Sequence, residues 1–408
     1  MNKEVRIRLD KKFQEALPIL DIFEKNGFEA YFVGGSVRDA LLGKPINDID
    51  IATSAFPEEV KSIFKKTIDV GIQHGTVVVL FHSEPYEVTT FRTESGYQDY
   101  RRPDEVTFVR SLEEDLKRRD FTINAFAMDQ KGVIKDFFQG LTDLDDKVIR
   151  AVGDPFERFS EDALRIMRAI RFQSQLNFEI EKETFQAIVE SAPLLSKIAV
   201  ERIHIEFVKL MLGSAMAKAL LNFIEADLYN YCPGLAQSEE DLRNLAAFPL
   251  RVKNEVQIWT LLGYYLNLSG QDLGRFMKKW KSSNEIMKQS KKTLQALYDR
   301  IDQNGWRALN LYQSGQQAVE DAEYLVSGLQ DSHDMDLARQ LYTELPIKSK
   351  DDMAINGHNL IELSSRRPGK WVGDLLDDLE EKILLSELEN DRDVLMDYSH
   401  QYIDQLNK

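Results

Sequence analysis

The sequence predicts an α+β fold, in which a head built on a mixed sheet with helices is followed by a wholly helical remainder. Short apolar or β-branched runs are concentrated in the first 150 residues and are absent after them. From about residue 155 onward apolar residues recur at helical spacing, and proline and glycine interrupt the pattern at intervals. We therefore expect a sheet-containing domain and then helical modules in series.

The head is predicted to open with a helix over residues 11–25. The apolar runs that predict its strands lie at 30–33, 46–52, 76–81, 86–92 and 125–137. A polar, aromatic and basic segment, 93–103, stands between strand patterns. Its composition favours a mobile loop beside a site and an ordinary hairpin connection about equally.

The composition, 43% hydrophobic and 29% charged residues, indicates a globular protein, and the length of 408 residues indicates several domains or an elongated body of several lobes. The chain has no run of about 18 apolar residues, and its first residues lack the apolar core of a signal peptide. Cys232 is the only cysteine, which agrees with a reducing compartment. These features predict a cytoplasmic protein without a membrane partner.

The charge balance limits how the protein could bind nucleic acid. The net charge is −16, and residues 370–408 contain eleven acidic against four basic side chains. A protein that coats nucleic acid nonspecifically needs a broad positive surface, so the net charge argues against that class. Any RNA contact must be local, and the acidic end is expected to face away from phosphate.

Asp48-Ile49-Asp50 predicts a divalent-metal site. On a strand, Asp48 and Asp50 would point to one face while Ile49 entered the core on the other. Two carboxylates on one face can hold Mg²⁺, and two such ions about 3.5–4 Å apart can serve nucleotidyl transfer. Glu87, on a strand expected to neighbour them, is either a third carboxylate of this site or a solvated glutamate.

A glycine turn just upstream predicts a phosphate site. Gly34, Gly35 and Ser36 follow a strand pattern and precede a helix pattern that contains Arg38. Glycines allow the main chain to approach phosphate oxygens, the helix start favours an anion, and Arg38 can pair with phosphate. Alone, the turn would be read as a tight connection; with the aspartates at this spacing it favours nucleotide binding.

Two further segments carry basic residues that could contact a nucleotide. In Lys117-Arg118-Arg119-Asp120-Phe121-Thr122, Arg119 is favoured over Arg118 as a triphosphate ligand, against the alternative of a helix end. In Glu161 to Phe172, Asp162 and Arg165 stand three apart on a predicted helix. A carboxylate beside a guanidinium can satisfy the edges of cytosine and adenine and would reject uracil and guanine. Arg168 and Arg171 could reach triphosphate, and ordinary surface salt bridges are the alternative.

These motifs together resemble those of the class II CCA-adding tRNA nucleotidyltransferases. The matching elements, in order, are Gly-Gly-Ser-Val-Arg-Asp with Asp48-Ile49-Asp50, Arg-Arg-Asp-Phe-Thr-Ile-Asn-Ala, the segment around Gly140, Glu-Asp-x-x-Arg-x-x-Arg, and Glu201-Arg202-Ile203-His204-Ile205-Glu206. The resemblance covers roughly residues 25–210. It implies a polymerase-β-like nucleotidyltransferase head over 1–150, a base-selecting neck over 151–212, a body over 213–300 and a tRNA-binding tail over 301–408.

The resemblance also implies an activity: sequential addition of C, C and A to tRNA 3′ ends from CTP and ATP, with Mg²⁺ and release of pyrophosphate. The implied roles are metal binding at Asp48 and Asp50, phosphate and sugar contacts at Gly35, Arg38 and Arg119, base selection at Asp162 and Arg165, and further nucleotide contacts at Arg168 and Arg171. Segment 93–103 resembles the family's flexible element, and 355–373 its tRNA-holding end.

Other functions stay open at this point. A bacterial poly(A) polymerase shares the head, although this chain lacks a strongly basic C-terminal extension. A partial CC-adding or A-adding enzyme and a catalytically inactive RNA-binding scaffold are further alternatives. His333-Asp334 hints at a metal phosphohydrolase, but the six histidines are scattered without ligand spacing. Oligomeric state is not determined by the sequence, and a homodimer is left open.

Overall fold

The computed structural model describes residues 5–98, 102–330, 333–364 and 367–406. It divides into two compact units, one from Met1 to Glu239 and the other from Glu240 to Lys408. The α+β class is confirmed, because the described strands all lie in the first unit. The division into head, neck, body and tail stays a prediction.

The head is organised around a seven-stranded mixed sheet. The strands of this sheet are β1 (Ala30–Val33), β2 (Asp50–Thr53), β3 (Thr67–Gly71), β4 (Thr76–Phe81), β5 (Glu84–Thr90), β8 (Phe126–Met128) and β9 (Ile134–Asp136). The remaining two strands of the head, β6 (Arg92–Gln98) and β7 (Arg102–Phe108), form a separate hairpin. The order across the sheet is β3-β4-β5-β2-β1-β8-β9. β2 and β5 run parallel, and the other neighbours are antiparallel.

Five helices accompany the sheet: α1 (Lys11–Lys25), α2 (Gly35–Leu41), α3 (Pro57–Ile63), α4 (Leu112–Lys117) and α5 (Gly140–Asp145). The side chain of Asp10 caps α1 by accepting from the backbone N–H groups of Lys12 and Phe13. Apolar side chains from β1, β2 and α4 share one buried cluster that includes Val33, Ala52 and Leu116. This cluster fixes the strand ends that carry the predicted site.

The rest of the first unit is helical apart from one short strand pair, β10 (Val148–Ile149) with β11 (Glu179–Ile180), which run parallel. Its helices are α6 (Pro155–Glu161), α7 (Leu164–Leu176), α8 (Lys182–Ser191), α9 (Val200–Met211) and α10 (Met216–Glu225). Helix α7 is largely buried, because α9 and α10 both pack against it. The strand pair was not predicted, since two residues are too few to show a period.

The second unit consists of helices. The first, α11 (Glu239–Ala246), begins at the boundary between the two units. The others are α12 (Glu255–Tyr265), α13 (Gly270–Lys279), α14 (Asn284–Asp302), α15 (Ala308–Ser314), α16 (Gln316–Leu329), α17 (Met335–Thr343), α18 (Gly357–Leu363), α19 (Lys370–Leu384) and α20 (Arg392–Leu406). Aliphatic side chains between Leu311 and Ile403 form a buried core at its C-terminal end. Among the described residues, none of the helices has the length and apolar character needed to cross a membrane.

Candidate active site

The predicted carboxylates meet at the end of the sheet where β1 turns into α2. Asp50 is the first residue of β2 and pairs with Val33 of β1 on one side and with Glu87 of β5 on the other. The prediction that Glu87 lies on a neighbouring strand is therefore confirmed. Asp48 precedes the strand, so the prediction that it shares a strand with Asp50 is wrong.

The position of Asp48 also changes which isoleucine enters the core. Ile49 is only partly buried, whereas Ile51, inside β2, is 1% exposed. The isoleucine that this segment buries in the core is therefore Ile51, two positions after the predicted Ile49. Asp48 and Asp50 are both exposed to solvent, which keeps their carboxylates available.

Electrostatics at Asp50 fit a cation site. Crowding by protein atoms raises the pKa of Asp50, the nearby carboxylate of Glu87 raises it further, and Asp48 adds to the effect. Arg119 acts in the opposite direction. A divalent cation would relieve this repulsion among the three carboxylates.

Within the described residues, no three His, Cys, Asp or Glu side chains are gathered as a ready-made metal cage. Mg²⁺ does not require one, because it is commonly held by one or two carboxylates together with waters and substrate phosphates. Asp48 and Asp50, with Glu87 beside Asp50, are a donor set of that kind. The residues present therefore fit Mg²⁺.

Gly34 lies between the carboxylates and the predicted phosphate ligands. Its φ of +72° is in the region that favours glycine. A Cβ at this position would be 3.1 Å from Nη1 of Arg119 and 3.9 Å from Oδ2 of Asp50. The turn, the guanidinium of Arg119 and the carboxylate of Asp50 are thus brought together, as the sequence predicted.

Arg119 is held in this position by a buried acid. Asp115, which is 1% exposed, accepts a hydrogen bond from Nη2 of Arg119 at 3.4 Å and one from Nη2 of Arg118 at 2.8 Å. Burial alone would raise the pKa of Asp115, but the two arginines hold it below its ordinary value. Arg118 also contacts Glu94, which agrees with the preference for Arg119 as the nucleotide ligand.

Arg38 is buried and paired. Its Nη1 donates to Oδ1 of Asn124 at 2.6 Å, and its Nε and Nη2 donate to Asp39 at 2.9 and 2.8 Å. A Cβ at Gly35, the first residue of α2, would be 3.6 Å from Nη2 of Arg38. The guanidinium therefore lies against the glycine turn, as predicted.

A hydrogen-bond chain leads from Arg38 to helix α7. Nδ2 of Asn124 donates to Oδ1 of Asp120 at 3.0 Å, and Nε of Arg168 donates to Oδ2 of the same carboxylate at 2.7 Å. Burial would raise the pKa of Asp120, but Arg168 and Asn124 outweigh it and hold the pKa well below its ordinary value. The chain connects a predicted phosphate ligand of the head with one from α7.

Asp162 and Arg165 do not share a helix, so that prediction is wrong. Asp162 follows the end of α6, and its side chain accepts from the backbone N–H of Leu164 at the start of α7. Aspartate favours such a capping position, which explains the break. The continuous apolar spacing of this segment concealed it.

The two side chains also have different partners. Arg202 of α9 donates to both oxygens of Asp162, at 3.1 and 2.8 Å. Arg165 donates to Glu161 at 2.7 Å and to the backbone carbonyls of Arg158 and Arg118. Each group is oriented by its own contacts rather than by the other.

Arg171 is 7% exposed, whereas a triphosphate ligand on a basic helix face is expected at the surface. Its Nε lies 3.0 Å from Oε2 of Glu206, without the alignment of a hydrogen bond. Burial lowers the pKa of Arg171 to about 10, against the raising effect of Glu206. Leu164, Met167 and Ile170 are buried as predicted.

Sequence reasoning missed the residues that orient the predicted ligands. They are Asp115, Asp120, Asn124, Glu161, Arg202 and Glu206. All lie inside or within a few residues of the motifs already described, but a motif does not show which side chains pair. What these residues share is a polar side chain at a position that is buried or half-buried in the fold.

Two alternatives from the sequence are decided by geometry. Asp334 caps α17 by accepting from the backbone N–H of Leu337, which is a structural role for the His333-Asp334 pair. Most of segment 93–103 is not a loop, because Thr93 and Thr107 and further pairs belong to the β6–β7 hairpin. Residues 99–101 lie outside the described part of the segment.

Comparison with family models gives three matches along the chain. Residues 30–150 match a model described as the poly A polymerase head domain. Residues 177–238 match a probable RNA and SrmB-binding site of polymerase A. Residues 250–399 match a model described as tRNA nucleotidyltransferase domain 2, putative.

Curated relatives match over nearly the whole length. The chain is 50% identical over 392 residues to a CCA-adding enzyme of Enterococcus faecalis, covering 96% of each protein. It is 51% identical over 395 residues to a CCA-adding enzyme of Latilactobacillus sakei, covering 94% of this chain and 97% of the relative.

Solved structures show the same likeness. A CCA-adding enzyme of Bacillus stearothermophilus, crystallised in complex with CTP, superposes with a TM-score of 0.89 at 41% identity and covers 98% of this chain and 99% of its own. A CCA-adding enzyme of Thermotoga maritima, complexed with tRNA, has a TM-score of 0.65 at 20% identity and covers 99% and 100% of the two chains. The second likeness is one of fold.

Proposed function

The chain belongs to the family of CCA-adding enzymes, which are tRNA nucleotidyltransferases, and we propose that it adds C, C and A to the 3′ end of tRNA from CTP and ATP, releasing pyrophosphate. Full-length identity to curated CCA-adding enzymes favours this activity over poly(A) polymerisation and over partial addition. The catalytic carboxylates are present, which opposes an inactive RNA-binding scaffold.

The observation that carries the proposal is the meeting of Asp50, Gly34 and Arg119 at one end of the sheet. A carboxylate that attracts a metal ion lies there beside a glycine turn and a guanidinium that attract phosphate. Those are the two kinds of group that a nucleoside triphosphate and its cation require. The site would therefore hold the triphosphate next to the metal ligands.

Each residue then has a role. Asp48 and Asp50 hold Mg²⁺, and Glu87 supports Asp50 from the neighbouring strand. The chemistry that Mg²⁺ supplies when bound to such carboxylates is activation of the attacking 3′ hydroxyl and neutralisation of the leaving pyrophosphate. Gly35, Arg38 and Arg119 orient the triphosphate, so that its α-phosphate faces the hydroxyl that attacks it.

Base selection falls to Asp162 and Arg165. The carboxylate accepts from the exocyclic amine that cytosine and adenine share, and the guanidinium donates to the ring nitrogen beside it. Arg202 fixes the carboxylate of Asp162, while Glu161 fixes Arg165. From α7, the half-buried Arg168 and the buried Arg171 supply further positive charge for the phosphates.

The direct test uses purified protein and tRNA that lacks its last three nucleotides, with CTP, ATP or UTP supplied singly and together. We expect two additions with CTP alone and three with CTP and ATP, resolved on a gel. A ladder of adenosines would indicate a poly(A) polymerase. Products that stop after CC, or that require a CC end, would indicate a partial enzyme.

The docking of tRNA is a separate part of the proposal, and the second unit offers a basic cavity for it. The cavity has a volume of about 960 Å³ and is lined by one acidic residue, Asp299, and by five basic ones: Arg275, Lys278, Lys288, Lys291 and Lys292. In a chain of net charge −16, this is a local surplus of positive charge. RNA phosphates are the partner for which such a surface is suited.

The lysines of the cavity are available for binding. All five basic side chains are exposed. Arg275 forms an ion pair with Asp272, whereas none of the four lysines forms an ion pair within the described residues 102–330. Phosphate contacts of this kind give affinity that falls with salt concentration. We place a part of the tRNA away from its reacting 3′ end here, in addition to the 355–373 segment, of which residues 365 and 366 lie outside the described part.

Charge reversal distinguishes the two docking segments. The double variant Lys288→Glu with Lys291→Glu should raise the KM for tRNA at least tenfold. The slope of log affinity for tRNA against log salt concentration should become smaller by about one for each phosphate contact that is lost. Lys370→Glu in the 355–373 segment is the matched comparison. If the KM for tRNA changes only with Lys370→Glu, the cavity is not the docking surface.

The cytoplasmic location stays a prediction, and a homodimer stays the possibility that the sequence leaves open. Light scattering of the purified protein, with and without tRNA, gives the mass of the assembly. A mass of about 47 kDa without tRNA would contradict the homodimer.

A further inference from the structure

Three arginines from two parts of the first unit surround the ring of Phe172. The guanidinium carbon of Arg171 lies 4.0 Å from the ring centroid, that of Arg38 lies 5.0 Å from it, and that of Arg168 lies 5.5 Å from it. Arg38 comes from α2 of the head, and the other two come from α7. One phenylalanine thus contacts the phosphate ligands predicted on both sides of the site.

The ring itself is fixed. Phe172 is 5% exposed and meets Phe121 edge to face, with centroids 5.8 Å apart and an angle of 84° between the planes. Phe121 is fully buried and precedes the 3₁₀ turn that carries Asn124. A buried ring with a buried neighbour offers the guanidinium groups a surface that does not move with solvent.

Ion pairs alone do not explain the arrangement. Arg38 has Asp39, Arg168 has Asp120, and Arg171 has Glu206, so each positive charge has one carboxylate. The contact between Arg171 and Glu206 is not aligned as a hydrogen bond, so it constrains the plane of that guanidinium less than a hydrogen bond would. The closest of the three ring contacts is the one that Arg171 makes.

An aromatic ring can hold several like charges because its faces carry negative potential, and a stacked guanidinium keeps its N–H edge for another partner. A carboxylate would neutralise the charge and occupy that edge. A ring therefore orients an arginine for an incoming anion better than a further acid does. The ring adds no negative charge to the one carboxylate that each arginine already has.

We infer that Phe172 is a positioning residue for nucleotide binding, which holds Arg38, Arg168 and Arg171 so that the glycine turn of the head and helix α7 act on one triphosphate. This inference rests on the proposed function for the identity of the ligand. It assigns Phe172 no contact with the reacting atoms. Removal of the ring should weaken binding of the nucleotide while leaving the chemical step almost unchanged.

The test compares three variants of the full chain. Phe172→Leu removes the ring and keeps an apolar side chain, and Phe172→Tyr keeps the ring. Phe223→Leu is the matched control. Phe223 is also buried and lies on α10, which packs against α7. Among the described residues, no arginine or lysine lies over its ring. Both leucine variants lose a buried ring and should lower the unfolding midpoint to a similar degree.

For Phe172→Leu we expect the KM for CTP and for ATP to rise about tenfold, with kcat within about twofold of the parent. Phe172→Tyr should restore the parent KM, and Phe223→Leu should leave it unchanged. If Phe172→Leu and Phe223→Leu have the same KM at equal loss of stability, Phe172 is only a core residue and the inference is overturned.

A binding measurement separates this inference from the proposed function. The Kd of CTP and ATP, measured by calorimetry without tRNA, should rise about tenfold in Phe172→Leu and stay unchanged in Phe223→Leu. A parent protein that binds both nucleotides but extends no tRNA would refute the function and leave the inference in place. Extension of tRNA with equal Kd values in both variants would refute the inference and leave the function.

Discussion

Arg202 donates two hydrogen bonds to the carboxylate of Asp162, one from Nη1 at 3.1 Å and one from Nη2 at 2.8 Å. The two residues come from different elements, since Arg202 lies in α9 and Asp162 lies between α6 and α7. A bidentate contact fixes both the position and the plane of a carboxylate. The acid proposed to select the base is therefore held by a side chain from a separate helix, α9.

Replacing Arg202 should loosen base selection. Arg202→Ala leaves Asp162 with only its local capping contact, so its acceptor oxygens can turn away from the exocyclic amine. We expect the preference for CTP over UTP, measured as the ratio of kcat/KM values, to fall about tenfold, as suits removal of a charged hydrogen bond. Arg339→Ala, which removes an exposed ion pair with Glu320, is the control. An unchanged ratio would show that Arg202 only stabilises the fold.

Replacing the proposed metal ligands should abolish transfer without unfolding the protein. Asp48 and Asp50 are exposed, so Asp48→Asn and Asp50→Asn remove charge and no core packing. We expect each to lower the rate of CMP addition about 10³-fold or more, measured in Mg²⁺ under single-turnover conditions. Glu87→Gln should have a smaller effect, because Glu87 lies beside Asp50 on β5 and outside the Asp48-Ile49-Asp50 motif. Addition at the parent rate by either asparagine variant would exclude that residue as a ligand.

The hairpin formed by β6 and β7 should affect the third addition more than the first two. Replacing residues 97–103 by two glycines keeps the ladder between Arg92 and Ser95 on one strand and their partners on the other. Because the segment resembles the family's flexible element, we expect A addition to fall about tenfold more than C addition, measured as separate kcat values. Equal loss of both would indicate that the hairpin serves only as a scaffold.

Sequence reasoning was most successful where local signals are strong. The limits of α1, β1 and β4 were predicted to the residue, because α1 has a capping aspartate and the two strands are apolar runs bounded by polar or glycine residues. The proximity of Asp50 and Gly34 also followed, since a strand and the turn beside it share one end of the sheet, whereas Arg119 was assigned to the phosphates from its motif and the resemblance.

Pairing between distant residues was not predictable. Asp162 and Arg202 are 40 positions apart, and Arg38 and Asn124 are 86 apart, so that only the fold brings them together. The break at Asp162 was missed because the apolar spacing continues from α6 into α7. A capping aspartate before Leu164 was the available signal.

Asp120 should link stability to acid pH. Its pKa is depressed in the folded protein by Arg168 and Asn124, which outweigh its burial, so its contribution is complete above the ordinary aspartate pKa and is lost as pH falls through the folded pKa. Asp120→Asn leaves Arg168 without its buried partner and should lower the free energy of unfolding by about 3 kcal/mol at pH 7. The difference from the parent should shrink as pH falls below about 4.

Urea unfolding at a series of pH values measures this difference. Asp397→Asn, which changes an exposed aspartate of α20, is the control and should follow the parent at each pH. A difference for Asp120→Asn that stays constant from pH 7 down to the acid limit would mean that the ion pair with Arg168 does not stabilise the fold.

Gly34 and Gly43 separate backbone strain from disturbance of the site. Both have positive φ, +72° and +63°, so alanine strains the backbone at either position, by about 1–2 kcal/mol. A Cβ at Gly43 meets nothing within 4 Å, whereas one at Gly34 would displace Nη1 of Arg119, 3.1 Å away. We therefore expect Gly34→Ala and Gly43→Ala to lose similar stability in thermal unfolding, while only Gly34→Ala raises the KM for CTP, by about tenfold. If Gly43→Ala raised that KM as much, backbone strain next to α2 would explain the effect and the contact between the turn and Arg119 would not.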